Sequence, residues 1–295
     1  MKSSIPYHFI YTCLCILTVI SCESVIEIDD SNFEPQLVIN SYFAPDSVWE
    51  VKLTHTKSVF DGSTDLSVEN ANIIIQDLTS NLEFDLNHSG SGLYKTSYKP
   101  QDGHVYHIIV DDEELGVSQA IGKVPSVDHI EVIGSIIEDQ NSQYLDIEVL
   151  SSQSNNSDTY YAWQLVNIED TNLVDGGGIF SNTNEQISSA VNTREFTTDN
   201  LVFVEGSTLD DGSVRDSIPG EVVTELTSQG QEGEFGCNAA IKLIAVSKEL
   251  YNYLESNDQQ TALEGSNTHH RPQHYTNIKN GVGIFAGYKE VYIQL

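Results

Sequence analysis

The sequence predicts a mainly β protein: two β-sandwich-like domains, the first immunoglobulin-like, with one short helix near the C-terminus. Three observations carry that reading. Apolar residues recur with a period of two along short segments; clusters of Gly, Pro, Asn, Asp and Ser separate those segments; and one late stretch alone has helical spacing.

The elements follow in order. Gln36 to Phe43 reads as the first strand. Trp49, Val51 and Leu53 alternate with Glu50, Lys52 and Thr54, and Leu82, Phe84 and Leu86 alternate with Glu83, Asp85 and Asn87. Such alternation sets one face of a strand on a core and the other in water. His88-Ser89-Gly90-Ser91-Gly92 bends the chain before Leu93-Tyr94, and Pro100-Gln101-Asp102-Gly103 bends it before the strand His104 to Val110. The acidic run Asp111 to Glu114 reads as a solvated hairpin tip. Lys123-Val124-Pro125-Ser126 ends the last strand of this unit, because proline cannot continue a central ladder. The first sandwich is therefore placed at 35–125 and a second β-rich domain at 126–295.

In the second half, His129 to Ile133, Tyr144 to Leu150 and Tyr160 to Ile168 read as strands, rich in β-branched and aromatic residues. From Glu169 to about Asn200 the chain is mostly Asn, Thr, Ser and Gly, including Gly176-Gly177-Gly178, and a second polar stretch spans Gly206 to Gly220. Both read as long loops, which in compact domains tend to bind or to move. Ser247 is placed to cap a helix over 248–263, with Leu250, Tyr251 and Leu254 on one face, following the strand Ala239 to Val246. Gly283 to Ala286 and Glu290 to Leu295 read as two final strands. Trp49 and Trp163 lie in alternating strands and read as core.

The head of the chain has a different character. An apolar stretch from Phe9 to Ile20 ends in Val19-Ile20-Ser21-Cys22 and runs directly into Glu23. A run this short behind a basic start is a secretion signal, whereas a spanning helix needs about 20 residues. Residues 1–21 read as a lipoprotein signal peptide, with Cys22 as the site of cleavage and lipidation. An ordinary signal peptide with a chance cysteine, or a short membrane anchor, is the alternative. The acidic segment 22–34, with Glu23, Glu27, Asp29 and Asp30 and closed by Pro35, reads as a tether. Removing 21 residues from 295 leaves 274, enough to bury a substantial core.

The formal net charge of −31 makes nucleic acid an unsuitable partner. That charge suits solubility, or capture of cations or of a basic partner surface, and composition does not separate the two. Cys13 and Cys15 lie in the signal and Cys22 takes lipid, so Cys237 has no disulfide partner in the mature chain. His269, His270 and His274 are spaced closely enough to share a metal, with Glu264 near, but Arg271-Pro272 breaks any regular helix and a polar loop is the competing reading. His104 and His107, three apart on a strand, point to opposite faces. Asp210-Asp211-Gly212 with Asp216 lacks the ligand alternation of an EF-hand. Gly281, Gly283 and Gly287 lead into strand-like text, so they read as turn or bulge glycines instead of a nucleotide loop. The sequence carries no nucleophile elbow and calls for no cofactor.

The lipobox cysteine followed by Glu27-Ile28-Asp29 and Pro35-Gln36-Leu37-Val38-Ile39 resembles the opening of the Bacteroidota lipoprotein family known as domain of unknown function 4249. Ala71-Asn72-Ile73, Gly92-Leu93-Tyr94, Gly103-His104-Val105-Tyr106 and the Val124-Pro125 break are similar to its N-terminal half. Leu250-Tyr251-Asn252-Tyr253 with Asn277-Ile278-Lys279-Asn280-Gly281-Val282-Gly283-Ile284-Phe285 resembles its C-terminal signature. The resemblance implies an outer-membrane lipoprotein with diacylglycerol and palmitate on Cys22, facing outward and often associated with TonB-dependent receptors. It supplies no catalytic residue. The expectation is thus a non-enzymatic binding or accessory component of nutrient uptake with an unknown ligand. A structural or adhesive surface module, or a lipid-anchored metal-dependent hydrolase using His269, His270 and His274, are the alternatives.

Overall fold

Alternation along β1 (Leu37–Phe43), β2 (Glu50–His55), β3 (Asn72–Asp77) and β6 (Val105–Asp112) buries every second side chain except at His55 and Asp112, the half-buried ends of β2 and β6, so these strands share one interior. The computed structural model describes residues 30, 32–139, 142–152, 158–167, 190–191, 201–210, 214–219, 239–262 and 273–294. Signal residues 1–21, Cys22, Gly176–Gly178, Asp211-Gly212, Cys237, Glu264, His269, His270 and Arg271-Pro272 lie outside them. The chain divides into two compact units. The first is Met1–Glu34 with Ser58–Asp61, and the second is Pro35–Lys57 with Gly62–Leu295.

Within the second unit, β4 (Leu82–His88), β5 (Leu93–Lys95) and β7 (Gly116–Lys123) complete a first sandwich. One layer is β1-β2-β5-β4 and the other β3-β6-β7, the strand order of a constant-type immunoglobulin sandwich. β4 joins the layers by changing partner: Leu82 to Leu86 pair with β3, and Asn87 and His88 with β5. The Tyr106 hydroxyl accepts the Gln101 N–H at 2.6 Å, the corner contact that fixes such a turn. Burial pushes the Tyr106 phenol up to about 12, against the Gln101 hydrogen bond and with the nearby Asp77 charge, so the corner stays neutral.

The C-terminal strand β16 (Val282–Gln294) enters this sandwich from the far end of the chain. Gly283 to Ala286 and Glu290 to Leu295, expected as two strands, are one strand of 13 residues over Val282–Gln294, Leu295 lying outside the described residues. Its first half, Val282 to Gly287, runs parallel to β1, and its second half, Tyr288 to Gln294, pairs antiparallel with β15 (Ala239–Ser247). Phe285 thus reaches the first core, stacked 5.7 Å from Trp49 at 12° and 4.7 Å from Phe43, while Trp49 meets Tyr106 edge-on at 4.9 Å. Each such pair adds about 0.5–1.5 kcal/mol beyond the area it buries.

Backbone proximity dictates the glycines here. At Gly283, whose φ is +108°, an added Cβ would lie 2.2 Å from the Ile39 carbonyl oxygen, and at Gly287 it would lie 2.3 Å from the Lys123 oxygen. The Asn277 side chain then closes the barrel-like seam. Its Nδ2 donates to the carbonyls of Phe285 at 2.8 Å and Ile121 at 3.1 Å, and its Oδ1 accepts the Phe285 N–H at 3.0 Å. Gln119 and Lys279 exchange backbone hydrogen bonds beside it, and Ser118 Oγ donates to the Asn280 carbonyl. The motif is therefore a strand-joining device.

The second half stacks three layers. β8 (Ile130–Asp139), β9 (Ser142–Ser151) and β14 (Val214–Pro219) form a three-stranded sheet, while the short β11 (Ala190–Val191) pairs with β12 (Leu201–Val202) and β13 (Val204–Glu205) with Tyr160 and Tyr161. Leu145, Ile147 and Val149 pack it on Tyr161, Trp163, Ile241 and Leu243 of β10 (Thr159–Asn167) and β15. The opposite face of β15, through Ile244 and Val246, receives Leu250, Tyr251 and Leu254 of the helix Lys248–Ala262. Being covered on both sides, β15 is continuously apolar from Ala239 to Val246 except for Lys242, which is 6% exposed and pairs with Glu290 at 2.8 Å. Ser247 Oγ accepts the Leu250 N–H at 3.4 Å, the expected helix cap. The stretch Gly206 to Gly220, expected as irregular, contains a short helix, Gly206–Asp210, and β14. Val214 and Ile218 carry too little apolar text to reveal a strand without its partner β9. Among the described residues no helix is long and apolar enough to cross a membrane.

Asn277→Ala should destabilise the protein by about 2–4 kcal/mol in urea unfolding, since three backbone groups lose their partner. Gly283→Ala should cost more, because the clash is with backbone. An Asn277→Ala protein as stable as the parent would contradict this role.

Candidate functional site

Three separated pieces of the first sandwich converge on one concavity. The end of β2 brings His55, the loop before β3 brings Ser67, Val68, Glu69 and Asn70, and the β6–β7 turn brings Asp112 to Leu115. Pro35 completes a cleft of about 480 Å³. Val68 and Leu115 pack against the first core, and the rest of the lining apart from Pro35 is polar.

Tyr94 fixes the loop wall. Its buried hydroxyl donates to the Val68 carbonyl and accepts the Ala71 N–H, both at 3.1 Å. The Val68 N–H bonds to the Leu53 carbonyl, and the His55 N–H to that of Leu66, which stitch the loop along β2. The turn wall is held by Asp112, whose Oδ1 accepts the Glu114 and Leu115 N–H groups at 3.1 and 2.9 Å. Burial raises the Tyr94 pKa, the Ala71 hydrogen bond opposes this, and the charges of Asp112 and Glu69 raise it further.

Glu69, Asp112, Glu113 and Glu114 face the cleft, with His55 as the basic side chain on its lining. Such a surface attracts cationic groups and repels anionic ones. The described residues contain no group of three His, Cys, Asp or Glu able to hold a metal ion.

The residues singled out in the sequence that fall among the described ones are placed elsewhere. His274 is exposed, its Nδ1 lying 2.9 Å from Asn257 Oδ1 of the C-terminal helix. Cys22, His269 and His270 are outside the described residues. His104 and His107 do face apart: His107 meets Gln76 and Gln119, while His104 Nδ1 lies 2.8 Å from the buried carboxylate of Asp77. Asp77 also accepts the Ser80 hydroxyl at 2.7 Å and the Thr79 and Ser80 N–H groups at 2.9 and 3.0 Å. Its oxygens are committed to closing the β3–β4 turn, so the carboxylate–imidazole pair is a structural bond. Both tryptophans are core: Trp49 is fully buried and Trp163 nearly so.

Burial pushes the Asp77 pKa up, but the hydrogen bonds from Ser80, His104 and Thr79 outweigh it and hold the carboxyl below its ordinary value. A folded value below the unfolded one gives stability that is complete above the unfolded pKa of about 3.9 and lost as pH falls through the folded value. Asp77→Asn should therefore weaken the acid dependence of unfolding below about pH 4, measured by urea titration at several pH values. An unchanged acid limb would contradict the assignment.

No curated protein matches the chain. Among solved structures it is similar to a Salmonella alpha-2-macroglobulin mutant, Y1175G, at 11% identity and a TM-score of 0.25, over 75% of this chain and 14% of that one. The chain thus spans about a seventh of that protein's length. It is also similar to a "putative carbohydrate binding protein" from Bacteroides uniformis ATCC 8492, at 9% identity and a TM-score of 0.20, over 88% of this chain and 99% of that one. Residues 23–293 match the model of one family, and the chain belongs to it: Domain of unknown function (DUF4249).

Proposed function

We propose that this chain is a lipid-anchored outer-membrane protein that faces outward and binds instead of catalysing, as an accessory of a TonB-dependent nutrient uptake system. The convergence of Glu69, Asp112, Glu113 and Glu114 on one walled cleft carries the reading. The cleft receives a cationic group, either on a ligand or on a basic patch of the receptor. The lipobox ending in Cys22 supports the anchor, since a tethered body raises the local concentration of whatever it holds beside its receptor. The net charge of −31 extends the same preference beyond the cleft and speeds encounter with basic surfaces.

Glu69, Glu113 and Glu114 are exposed, so neutralising them leaves the core intact. In calorimetric titration with pentalysine at low salt, Glu69→Gln/Glu113→Gln/Glu114→Gln should bind roughly tenfold or more weakly than the parent, and the difference should shrink as salt rises. Equal affinity in parent and variant would remove the cleft from the proposal. Recovery of a TonB-dependent receptor with the parent, and not with the variant, from detergent-solubilised outer membrane tests the partner directly.

A further inference from the structure

The loop between β2 and β3 carries two large apolar side chains that the fold leaves outside. Val59 is 77% exposed and Phe60 64% exposed, and Phe33, ahead of β1, is 40% exposed. Their backbone is ordered by its own hydrogen bonds. The Asp61 N–H donates to the Ser58 carbonyl and the Phe60 N–H to Ser58 Oγ, both at 3.1 Å. The Ser58 hydroxyl donates to the Asp30 carboxylate, and the Phe33 N–H donates to the Asp30 carbonyl at 2.9 Å. Val59, Phe60 and Phe33 therefore belong to one small unit with Asp30 and Glu34.

Scattered exposed apolar residues need no explanation, but an adjacent Val-Phe pair displayed on a hydrogen-bonded turn does. Its place in the chain supplies one. Asp30 lies eight residues past Cys22 (30 − 22 = 8), and eight residues span at most about 29 Å when fully extended. Whatever surface the Cys22 lipid enters is within reach of this tip.

We infer that Val59 and Phe60, with Phe33 beside them, insert into the interfacial layer of the bilayer that holds the Cys22 lipid. This rests on the lipid-anchor reading. Aromatic and aliphatic side chains favour that layer, where apolar surface leaves water without entering the full hydrocarbon depth. Asp30, Glu34 and Asp61 outnumber Lys57 around the tip, so the contact draws nothing from anionic headgroups and rests on apolar insertion, which on a zwitterionic bilayer is insensitive to salt. The acidic cleft, by contrast, should be salt-sensitive. A second contact of this kind turns a loose tether into an oriented one.

Phe60→Trp tests it in the full lipidated protein, reconstituted in phosphatidylethanolamine and phosphatidylcholine vesicles. The parent, whose Trp49 and Trp163 are buried, supplies the background to subtract. The introduced indole should emit blue-shifted light, and brominated acyl chains should quench it about twofold at both low and high salt. Val59→Ser in the same background should reduce that quenching. Mass analysis of the N-terminal peptide reads the anchor separately. Lipidated Cys22 with a water-exposed, unquenched indole overturns the insertion alone, whereas unmodified Cys22 overturns the anchor and the insertion with it.

Discussion

One strand serves two sheets, and the rest of the structure depends on how it is held. β16 pairs in parallel with β1 and then antiparallel with β15, changing partner between Gly287 and Tyr288. The parallel approach brings the Ile39 carbonyl within 2.2 Å of where a Cβ at 283 would stand, which only glycine permits. Asn277 completes the junction by bonding Phe285 in both directions while reaching Ile121 on β7. Losing these links without water to replace them would leave backbone groups unpaired inside the seam.

Because β16 is shared, the two cores are mechanically joined. Phe285 fills the first beside Trp49, Ile284 and Ala286 turn to the helix side of the second half, and Val291 and Ile293 pack on its sandwich face. Lys289 reaches Asp102 at 2.6 Å, tying the same strand to the turn before β6. The rigid first sandwich in turn supports the candidate site: Tyr94, buried in the core, holds one wall, and the β6–β7 turn supplies the other.

Much of the fold was legible in the chain because it rests on local pattern. Period-two alternation marked β2, β4 and β9, turn clusters set off β6, and Ser247 with Leu250, Tyr251 and Leu254 marked the helix. β14 was not legible, since Val214 and Ile218 stand among Asp, Ser and Gly and become a strand only by pairing with β9. The single course of β16 was hidden by its change of partner. Asn277 was legible only as part of a family-like signature, and nothing local tells which carbonyls it meets. The cleft was equally hidden: Asp111 to Glu114 read as a solvated tip, and only the folded chain sets it opposite Glu69 and His55.

The claim that β16 joins both halves is tested most directly by the two tryptophans, one in each core. Trp49→Phe and Trp163→Phe variants leave a single indole reporting on the second and first core respectively. Once each variant's own stability is matched by calorimetry, urea unfolding followed by the two indoles should give coincident transitions, as a shared strand requires. Two separated midpoints, with one core melting while the other stays native, would contradict the account.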